Sequence, residues 1–397
     1  MGSARDRQSV AGFFSLPHLS AGFVAVLVGY TSSAVIIFQA AGAAGASAAE
    51  ISSWLWALGI GMGLTSAGLS IYFRTPVLTA WSTPGAALLV TALSGVPINE
   101  AIGIFIFSSS LILLCGITGW FEKIMHHVPM PLAGAMLAGV LLQFGINLFT
   151  VMQSSLLLVG VMLGAFILIK RVLPRYTIPI VLLAGCAVSF FQEQLNIDAL
   201  NWQWSSPVWV TPVFNLQTMI GVGVPLFIIT MASQNVPGVA VLRANGYDTP
   251  VSPLLTWTGL TGVVLAPFGG FSYNLAAITA AICMGNEAGQ DRSKRYMASV
   301  WAGGFYLLTG LFGSTIASLF AAFPAALVMA IAGLALLSTI GNSLSAALAE
   351  PSDREAALLT FLVTASGLNL LGISSAFWGL CIGLIAYYAQ KSIRFNH

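Results

Sequence analysis

The chain has 397 residues, of which 57% are hydrophobic and only 7% are charged, and its mean hydropathy is +0.91. A soluble domain carries about 25% charged residues, so a soluble fold of this length could not cover its surface with so few charges. A lipid bilayer removes that requirement, because side chains that face lipid are apolar. The net charge of +2 gives no indication of a nucleic-acid partner. The composition therefore predicts a polytopic α-helical protein embedded in the lipid bilayer.

Long apolar segments of the chain predict the membrane-spanning helices. A span needs about 20 apolar residues. Clear candidates lie near 17–39, 51–72, 98–119, 130–149, 153–169, 176–191, 215–240, 297–320, 324–345, 354–371 and 373–390. Three shorter segments, near 77–92, 253–267 and 272–285, each begin beside proline or glycine and are too short for an ordinary span. Counting all of them predicts about 14 membrane segments in an all-α fold.

The placement of basic residues agrees with this count. Lys and Arg are enriched in cytoplasmic loops. If the N-terminus with Arg5 and Arg7 is cytoplasmic, all 14 basic residues fall on that side. The acidic residues that stay outside are Glu50, Glu100, Glu193 and Asp198. We therefore expect an even number of crossings, with both termini in the cytoplasm.

The two halves of the chain resemble each other, which predicts a duplicated fold. Residues 113–119 resemble residues 307–313, and residues 82–87 resemble residues 272–277 at nearly the same offset. The alternative is chance similarity between helices rich in Gly, Ala and Leu. Seven segments per copy would give the copies opposite orientations, an inverted repeat. The predicted organisation is an N-terminal tail at 1–16, a first repeat at 17–192, an external loop at 193–214, a second repeat at 215–390 and a C-terminal tail at 391–397.

The short segments 77–92 and 272–285 occupy matching places in the two halves and indicate the site. Each places Gly or Pro and small hydroxyl residues before a short apolar helix, which predicts extended chain leading into a half-helix. Such backbone is tolerated at membrane depth only where it is buried in protein or lines a cavity. Two helix N-termini pointing into one cavity would favour an anion, and the alternative is a pair of kinked packing helices. The candidate binding residues here are Trp81, Ser82, Thr83, Gly85, Phe271, Ser272, Tyr273, Asn274 and Leu275.

Polar residues inside two other apolar segments add to this candidate site. Gln234 and Asn235 lie within a predicted span, where an amide without a partner is costly. They either bond a neighbouring helix or face a substrate cavity, and their position beside the interrupted segments favours the cavity. Tyr30 and Ser33 occupy the corresponding place in the first half. The aromatic residues that could enclose a flat ring are Tyr30, Trp81, Phe271 and Tyr273, with ordinary packing as the alternative for each.

The sequence lacks the residue patterns that would indicate an intramembrane proton relay, a metal site, ATP hydrolysis or enzyme catalysis. No Asp, Glu, Lys or Arg is predicted at mid-membrane, which fits an anionic substrate and leaves proton coupling without an assigned residue. The four cysteines are widely spaced, so no metal site is predicted. The chain has neither a Walker motif nor a nucleophile–base set. We therefore expect no cofactor, and neither an ATP-driven transporter nor an enzyme.

Four stretches of the chain resemble the bacterial benzoate/proton symporter family (BenE). They are residues 77–89, 230–238, 277–283 and 361–367, and the similarity runs along nearly the whole chain. The resemblance implies a secondary transporter of the bacterial inner membrane. It also implies that the substrate is benzoate, or a similar aromatic carboxylate, imported together with a proton.

More distantly, the layout resembles nucleobase and SLC26-type anion transporters, which have seven-plus-seven inverted repeats, a core domain and a gate domain. That resemblance implies the same fold, a site between the third and tenth segments, and a homodimer formed through the gate domain. Because this resemblance is at the level of the fold, it supports a function only by analogy. Nucleobase carriers place glutamates where this chain has Gln234 and Asn274, which argues against uracil-like substrates.

Together these observations predict a carboxylate held between half-helix N-termini near 83–85 and 273–275. Gln234 and Ser82 would hydrogen-bond the carboxylate, and aromatic residues would surround the ring. Access would alternate as the core domain moves against the gate domain. The alternatives are a carrier or channel for another small organic or inorganic anion or a nucleobase-like ring, and, outside transport, a membrane receptor or scaffold.

Overall fold

The computed structural model describes residues 15–121, 129–196, 198, 200, 202–371 and 373–395. Within these ranges the chain is predominantly α-helical, with one two-stranded sheet. The first half contains α1 (Leu16–Ala43), α2 (Ala48–Phe73), β1 (Thr79–Trp81), α3 (Thr83–Ala92), α4 (Ile98–Thr118), α5 (Met130–Met152), α6 (Leu156–Val172) and α7 (Thr177–Phe191). The second half contains α8 (Leu216–Ala244), α9 (Val251–Leu265), β2 (Tyr273–Leu275), α10 (Ile278–Met284), α11 (Tyr296–Leu311), α12 (Gly313–Ala322), α13 (Ala325–Ala347), α14 (Arg354–Ala365) and α15 (Ser375–Phe395).

Seven of the described helices are long and apolar enough to cross a membrane, or eight if the bent pair α11–α12 forms one span. This confirms the prediction of a multi-pass helical membrane protein. Proline marks several helix starts, because its missing N–H is not needed there. The prolines that directly precede α4, α5, α9 and α13 are Pro97, Pro129, Pro250 and Pro324. The predicted total of about 14 segments stays a prediction.

The structure corrects one predicted segment in the second half and adds a bend to another. The segment at 253–267 was expected to be too short to span, but it belongs to an 18-residue helical run, Val251–Phe268, that is long and apolar enough to cross a membrane. The segment at 297–320 was predicted as one membrane segment. It bends by 67° at Phe312, where α12 begins with Gly313. Glycine near a helix break lowers the cost of such a bend.

The two strands join the halves of the chain near the middle of the protein. They run antiparallel, and β1 pairs with β2 in the register Thr79↔Leu275, Ala80↔Asn274 and Trp81↔Tyr273. Backbone hydrogen bonds extend the ladder at both ends, from Ser82 N–H to Ser272 O (3.1 Å) and from Ala276 N–H to Leu78 O (2.9 Å). The segment at 272–285 therefore starts as a strand and becomes helical only at the start of α10, later than the sequence predicted.

The outer edges of this buried sheet bond side chains of neighbouring helices. Thr79 N–H donates to Ser66 Oγ of α2 at 3.0 Å. Leu275 N–H donates to Asn235 Oδ1 of α8 at 3.0 Å. Buried backbone donors must find such partners, since no water reaches them at membrane depth. The sheet is consequently fixed to α2 on one side and to α8 on the other.

The helices pack as two layers with the sheet inside one of them. The sheet layer consists of α1–α4 and α8–α12 with both strands, and the flanking layer consists of α5–α7 and α13–α15. Small residues let helices approach closely within each layer. A Cβ on Gly59 of α2 would lie 2.4 Å from Gly310 Cα of α11, and a Cβ on Gly333 of α13 would lie 2.7 Å from Phe144 O of α5. The boundary between the layers contains the cavities described next.

Candidate functional site

A cavity of about 690 Å³, the central cavity, lies between the sheet layer and the flanking layer. Its volume is within the range of roughly 300–1,000 Å³ that is typical of small-molecule sites. Hydroxyl, amide and indole groups provide its polar surface: Ser32, Ser33, Trp81, Thr83, Ser233, Gln234, Thr279, Tyr306, Ser338, Thr339, Asn342 and Ser343. The described residues that line it include no Asp, Glu, Lys, Arg or His. The central cavity is therefore formally neutral.

The first turn of α3 faces this cavity, and its amide groups are already partly used. Ser82 caps the helix, because its Oγ accepts from Gly85 N–H at 3.0 Å. The N–H of Ser82 itself donates to Ser272 O, and Pro84 has none. Helix starts leave N–H groups without intrahelical partners. Among the described groups, the Thr83 N–H is the one in this turn left without a protein acceptor, and Thr83 lines the cavity.

The start of α10 presents amide groups to the same cavity. Ala277 occupies the capping position and has no side-chain acceptor. Within the described residues no group accepts from the N–H groups of Ile278 and Thr279, and both residues line the cavity. The helix has only seven residues, so it offers free amide donors rather than a large macrodipole. The N-terminus predicted near 273–275 thus lies a few residues further along the chain.

Trp81 forms a fixed aromatic surface at the edge of the cavity. Its Nε1 donates to Ser33 Oγ at 2.8 Å, and Ser33 Oγ donates to Gly29 O at 2.8 Å. The ring of Tyr30 contacts the indole edge to face, with centroids 4.8 Å apart. Such aromatic pairs and buried indole hydrogen bonds restrict the rotamer. Trp81 can therefore pack against a flat ring without first losing side-chain freedom.

The two amide residues of α8 point to different places because consecutive residues of a helix lie about 100° apart around its axis. Residues Met231–Asn235 form a π-turn, a local widening often found at functional sites. Gln234 lines the central cavity, and within the described residues its amide has no hydrogen-bond partner. Asn235 is fully buried and faces the sheet, where it accepts from Leu275 N–H. The sequence left two alternatives for these amides, facing the cavity or bonding a neighbouring element. Gln234 faces the cavity, and Asn235 bonds the neighbouring strand.

Other predicted site residues lie behind the sheet. Phe271 is buried against Trp54, with ring centroids 6.0 Å apart. Tyr273 Oη donates to Ala57 O at 2.7 Å, and Asn274 Nδ2 donates to the carbonyl of the residue two before it. The predicted residues that line the central cavity are Ser33, Trp81, Thr83 and Gln234. Those that do not line it are Tyr30, Ser82, Gly85, Asn235, Phe271, Ser272, Tyr273, Asn274 and Leu275. A direct role in binding stays a prediction for the first group.

The flanking layer supplies polar residues that the sequence reasoning missed. Ser338, Thr339, Asn342 and Ser343 of α13 line the cavity opposite α3 and α10. Their spacing of one, three and one residue places them on one face of a helix. This polar stripe within an apolar span was the signal that could have identified them, as it did for Gln234.

A second cavity of about 390 Å³ lies further along the same helices, and we call it the second cavity. Helix α3 contributes Thr83 to the central cavity and Leu88 to the second cavity, and α5 and α8 likewise contribute to both. Between the two, a Cβ on Gly85 would lie 2.8 Å from Leu226 Cδ1, and Leu226 is fully buried. The two cavities are thus separated by close apolar packing.

A family comparison identifies this arrangement. The family model of the benzoate membrane transport protein, BenE, matches residues 12–389. The chain belongs to the BenE family. It is 51% identical over 377 residues to the inner membrane protein YdcO of Escherichia coli (strain K12), covering 95% of this chain and 96% of that protein. It is 42% identical over 375 residues to the benzoate membrane transport protein of Acinetobacter baylyi, covering 94% and 95%. This BenE family member is accordingly a membrane transport protein and not an enzyme.

Solved structures share the fold of this BenE family member at low sequence identity. The transmembrane domain of a cyanobacterial bicarbonate transporter, BicA, superimposes with a TM-score of 0.60 at 12% identity, covering 94% of this chain and 98% of that domain. The structure of SLC26A9 gives a TM-score of 0.61 at 14% identity, covering 99% and 70%. These comparisons confirm the predicted resemblance to SLC26-type transporters at the level of the fold.

Proposed function

We propose that this BenE family member is a secondary transporter that imports benzoate or a similar aromatic carboxylate across the bacterial inner membrane. The observation that carries the proposal is a neutral cavity in which free backbone amides lie beside a fixed indole ring. Amide donors without protein acceptors suit a carboxylate, and a flat apolar surface suits an aromatic ring. Membership of the family and the name of the relative from Acinetobacter baylyi support this choice of substrate.

In the proposed complex the carboxylate lies between the starts of α3 and α10. The N–H groups of Thr83, Ile278 and Thr279 and the amide of Gln234 donate to its oxygens. Hydrogen bonds to a charged group contribute about 1.5–3 kcal/mol each when the donors are already in place. The aromatic ring packs against Trp81, on the side of the cavity where Ser33 holds the indole.

Transport requires access from both sides of the membrane, and we propose that the two layers provide it. The sheet layer acts as a core domain and the flanking layer as a gate domain, each with elements from two inverted repeats at 17–192 and 215–390. Sliding of one layer against the other would close the central cavity and open the second cavity. The shared helices and the thin apolar packing at Gly85 and Leu226 support this mechanism.

We propose that the central cavity opens to the cytoplasm and that both termini are cytoplasmic. Its mouth includes the exposed residues Met130 and Pro174, which lie at helix ends beside loops that contain a basic residue, Lys123 before Met130 and Arg175 after Pro174. Such loops are usually cytoplasmic. Proton coupling and a homodimer formed through the gate domain are further parts of the proposal; they rest on the family and fold resemblance.

A second candidate is a carrier for another small anion or for a more polar ring. The stripe Ser338, Thr339 and Asn342 favours it, because these groups could hydrogen-bond ring substituents that benzoate lacks. The relative from Escherichia coli is named without a substrate, which leaves this candidate open.

Uptake by proteoliposomes containing the purified protein tests both candidates. Labelled benzoate uptake should exceed that of empty liposomes, saturate, and increase when the outside is more acidic than the inside. Competition by salicylate, nicotinate, bicarbonate and uracil ranks the alternatives. Saturable transport of another anion without benzoate transport would favour the second candidate, and non-saturable flux would indicate a channel. If benzoate uptake is saturable but does not increase under the pH gradient, proton coupling is rejected and the rest of the proposal stands.

A further inference from the structure

One basic side chain contacts the wall of the central cavity although it does not line it. Lys170 lies in the last turn of α6 and its Nζ donates to Ser338 Oγ at 2.9 Å. Ser338 is a lining residue of the flanking layer. The Lys170 ammonium also lies 4.9 Å from the ring centre of Phe166, one turn earlier in α6. These two contacts hold the positive charge at the rim of the cavity.

The ordinary explanation of this lysine is insufficient. Basic residues in the last turn of a helix interact favourably with its C-terminal carbonyl groups, and both Lys170 and Arg171 occupy that turn. That explanation requires no contact with another helix. Among the described contacts, Lys170 is hydrogen-bonded to the cavity wall and Arg171 is not. No described carboxylate lies within ion-pair distance of the Lys170 ammonium.

The charge matters more because the cavity itself is neutral. A cation held at the rim of a formally neutral cavity raises the local potential and concentrates anions there. The Ser338 hydroxyl, which accepts from Lys170, can in turn donate its own proton to an arriving carboxylate. The neighbouring lining residues Thr339 and Asn342 add further donors on the same face of α13.

We propose that Lys170 and Ser338 form an outer binding position for the carboxylate at the mouth of the central cavity, which selects anions before they reach the amides of α3 and α10. This inference rests on the proposed function. It differs from it in location, because both residues belong to the flanking layer whereas the inner site belongs to the sheet layer. Lys170 therefore acts only on exchange through the mouth on its own side of the membrane.

The proposal is tested by comparing transport that starts from the cytoplasmic side with transport that starts from the outside. Benzoate transport is measured in inside-out membrane vesicles, where the substrate enters from the cytoplasmic side, and in intact cells, where it enters from outside. Lys170→Gln should raise the KM in inside-out vesicles about fivefold, with kcat unchanged within about twofold, and should leave the KM of cells nearly unchanged. Lys170→Arg should restore the vesicle KM, and Lys170→Glu should raise it further. The wild-type vesicle KM should rise with ionic strength, and that dependence should be weaker in Lys170→Gln.

Arg171→Gln is the matched control, since it removes the same charge from the same helical turn. An equal rise of KM in Arg171→Gln would refute a specific role of Lys170, as would an unchanged vesicle KM in Lys170→Gln or equal effects from both sides. If wild-type protein transports benzoate and Lys170→Gln behaves like wild type, this inference fails and the proposed function stands. If the wild-type protein transports no carboxylate at all, both fail.

Discussion

Neighbouring amide residues of α8 allow a sharp separation of binding from folding. Asn235 is fully buried and accepts the N–H of Leu275, the outer edge of strand β2. Gln234 lines the central cavity, and within the described residues its amide is free to bind a substrate. We therefore expect Asn235→Ala to destabilise the protein and Gln234→Ala to weaken substrate binding.

The magnitudes follow from the partners that each substitution removes. Asn235→Ala leaves the Leu275 N–H without an acceptor in the protein interior, which costs about 1–3 kcal/mol. Gln234→Ala removes a hydrogen bond to a carboxylate, worth about 1.5–3 kcal/mol, so KM should rise about tenfold or more. Little change of stability is expected for Gln234→Ala, because the wild-type amide has no described protein partner to lose.

Two measurements on the same preparations check this pair. Thermal unfolding in detergent, followed by size-exclusion chromatography, should show a clearly lower Tm for Asn235→Ala and a wild-type Tm for Gln234→Ala. Proteoliposome uptake, normalised to folded protein, should show the higher KM for Gln234→Ala. The reasoning is refuted if Gln234→Ala has the lower Tm, or if its KM equals that of the wild type.

Three further substitutions test other parts of the site. Ser33→Ala removes the acceptor of Trp81 Nε1 and should raise the benzoate KM severalfold at normal expression. Intrinsic tryptophan fluorescence should report a more mobile indole. An unchanged KM would argue against Trp81 as the surface that binds the aromatic ring. Ser82→Ala removes the cap of α3 and should cost about 1 kcal/mol of stability, measured as a lower Tm, whereas Ser82→Asp should retain the cap. Gly269→Ala should abolish accumulation of folded protein in the membrane, because the residue has φ of +93° and a Cβ would lie 1.8 Å from Trp54 Cδ1; wild-type expression and melting would refute that steric argument.

The membrane fold was predictable because hydropathy and helix breakers act locally. The spans at 17–39 and 130–149 became α1 and α5 within a few residues, since length and apolarity alone determine them. The bend at Phe312 was not predicted, although Gly310 and Gly313 flank it. Glycine permits a bend without requiring one, so packing of the whole protein decides.

The candidate site was predictable in its location but not in the orientation of each residue. The interrupted segments at 77–92 and 272–285 do meet, but pairing of β1 with β2 is a contact between distant parts of the chain. That pairing takes Tyr273–Leu275 into a strand and moves the helix start to Ile278. Likewise, consecutive residues of a helix lie about 100° apart around its axis, so only one of Gln234 and Asn235 could face the cavity. Which one does so is decided by the hydrogen bond from Leu275 N–H to Asn235, a contact between distant parts of the chain.

The two-stranded sheet gives the interrupted segments an advantage as a binding site, because it fixes the positions of their backbone amides relative to each other. Backbone hydrogen bonds from Ser82 to Ser272 and from Ala276 to Leu78 lock the starts of α3 and α10 to each other. A carboxylate that contacts both starts is therefore bound to one rigid unit. The flanking layer contributes polar side chains, such as Asn342, to the opposite wall. In the proposed mechanism the layers can slide without breaking the amide contacts, so the substrate stays bound while the side from which it is accessible changes.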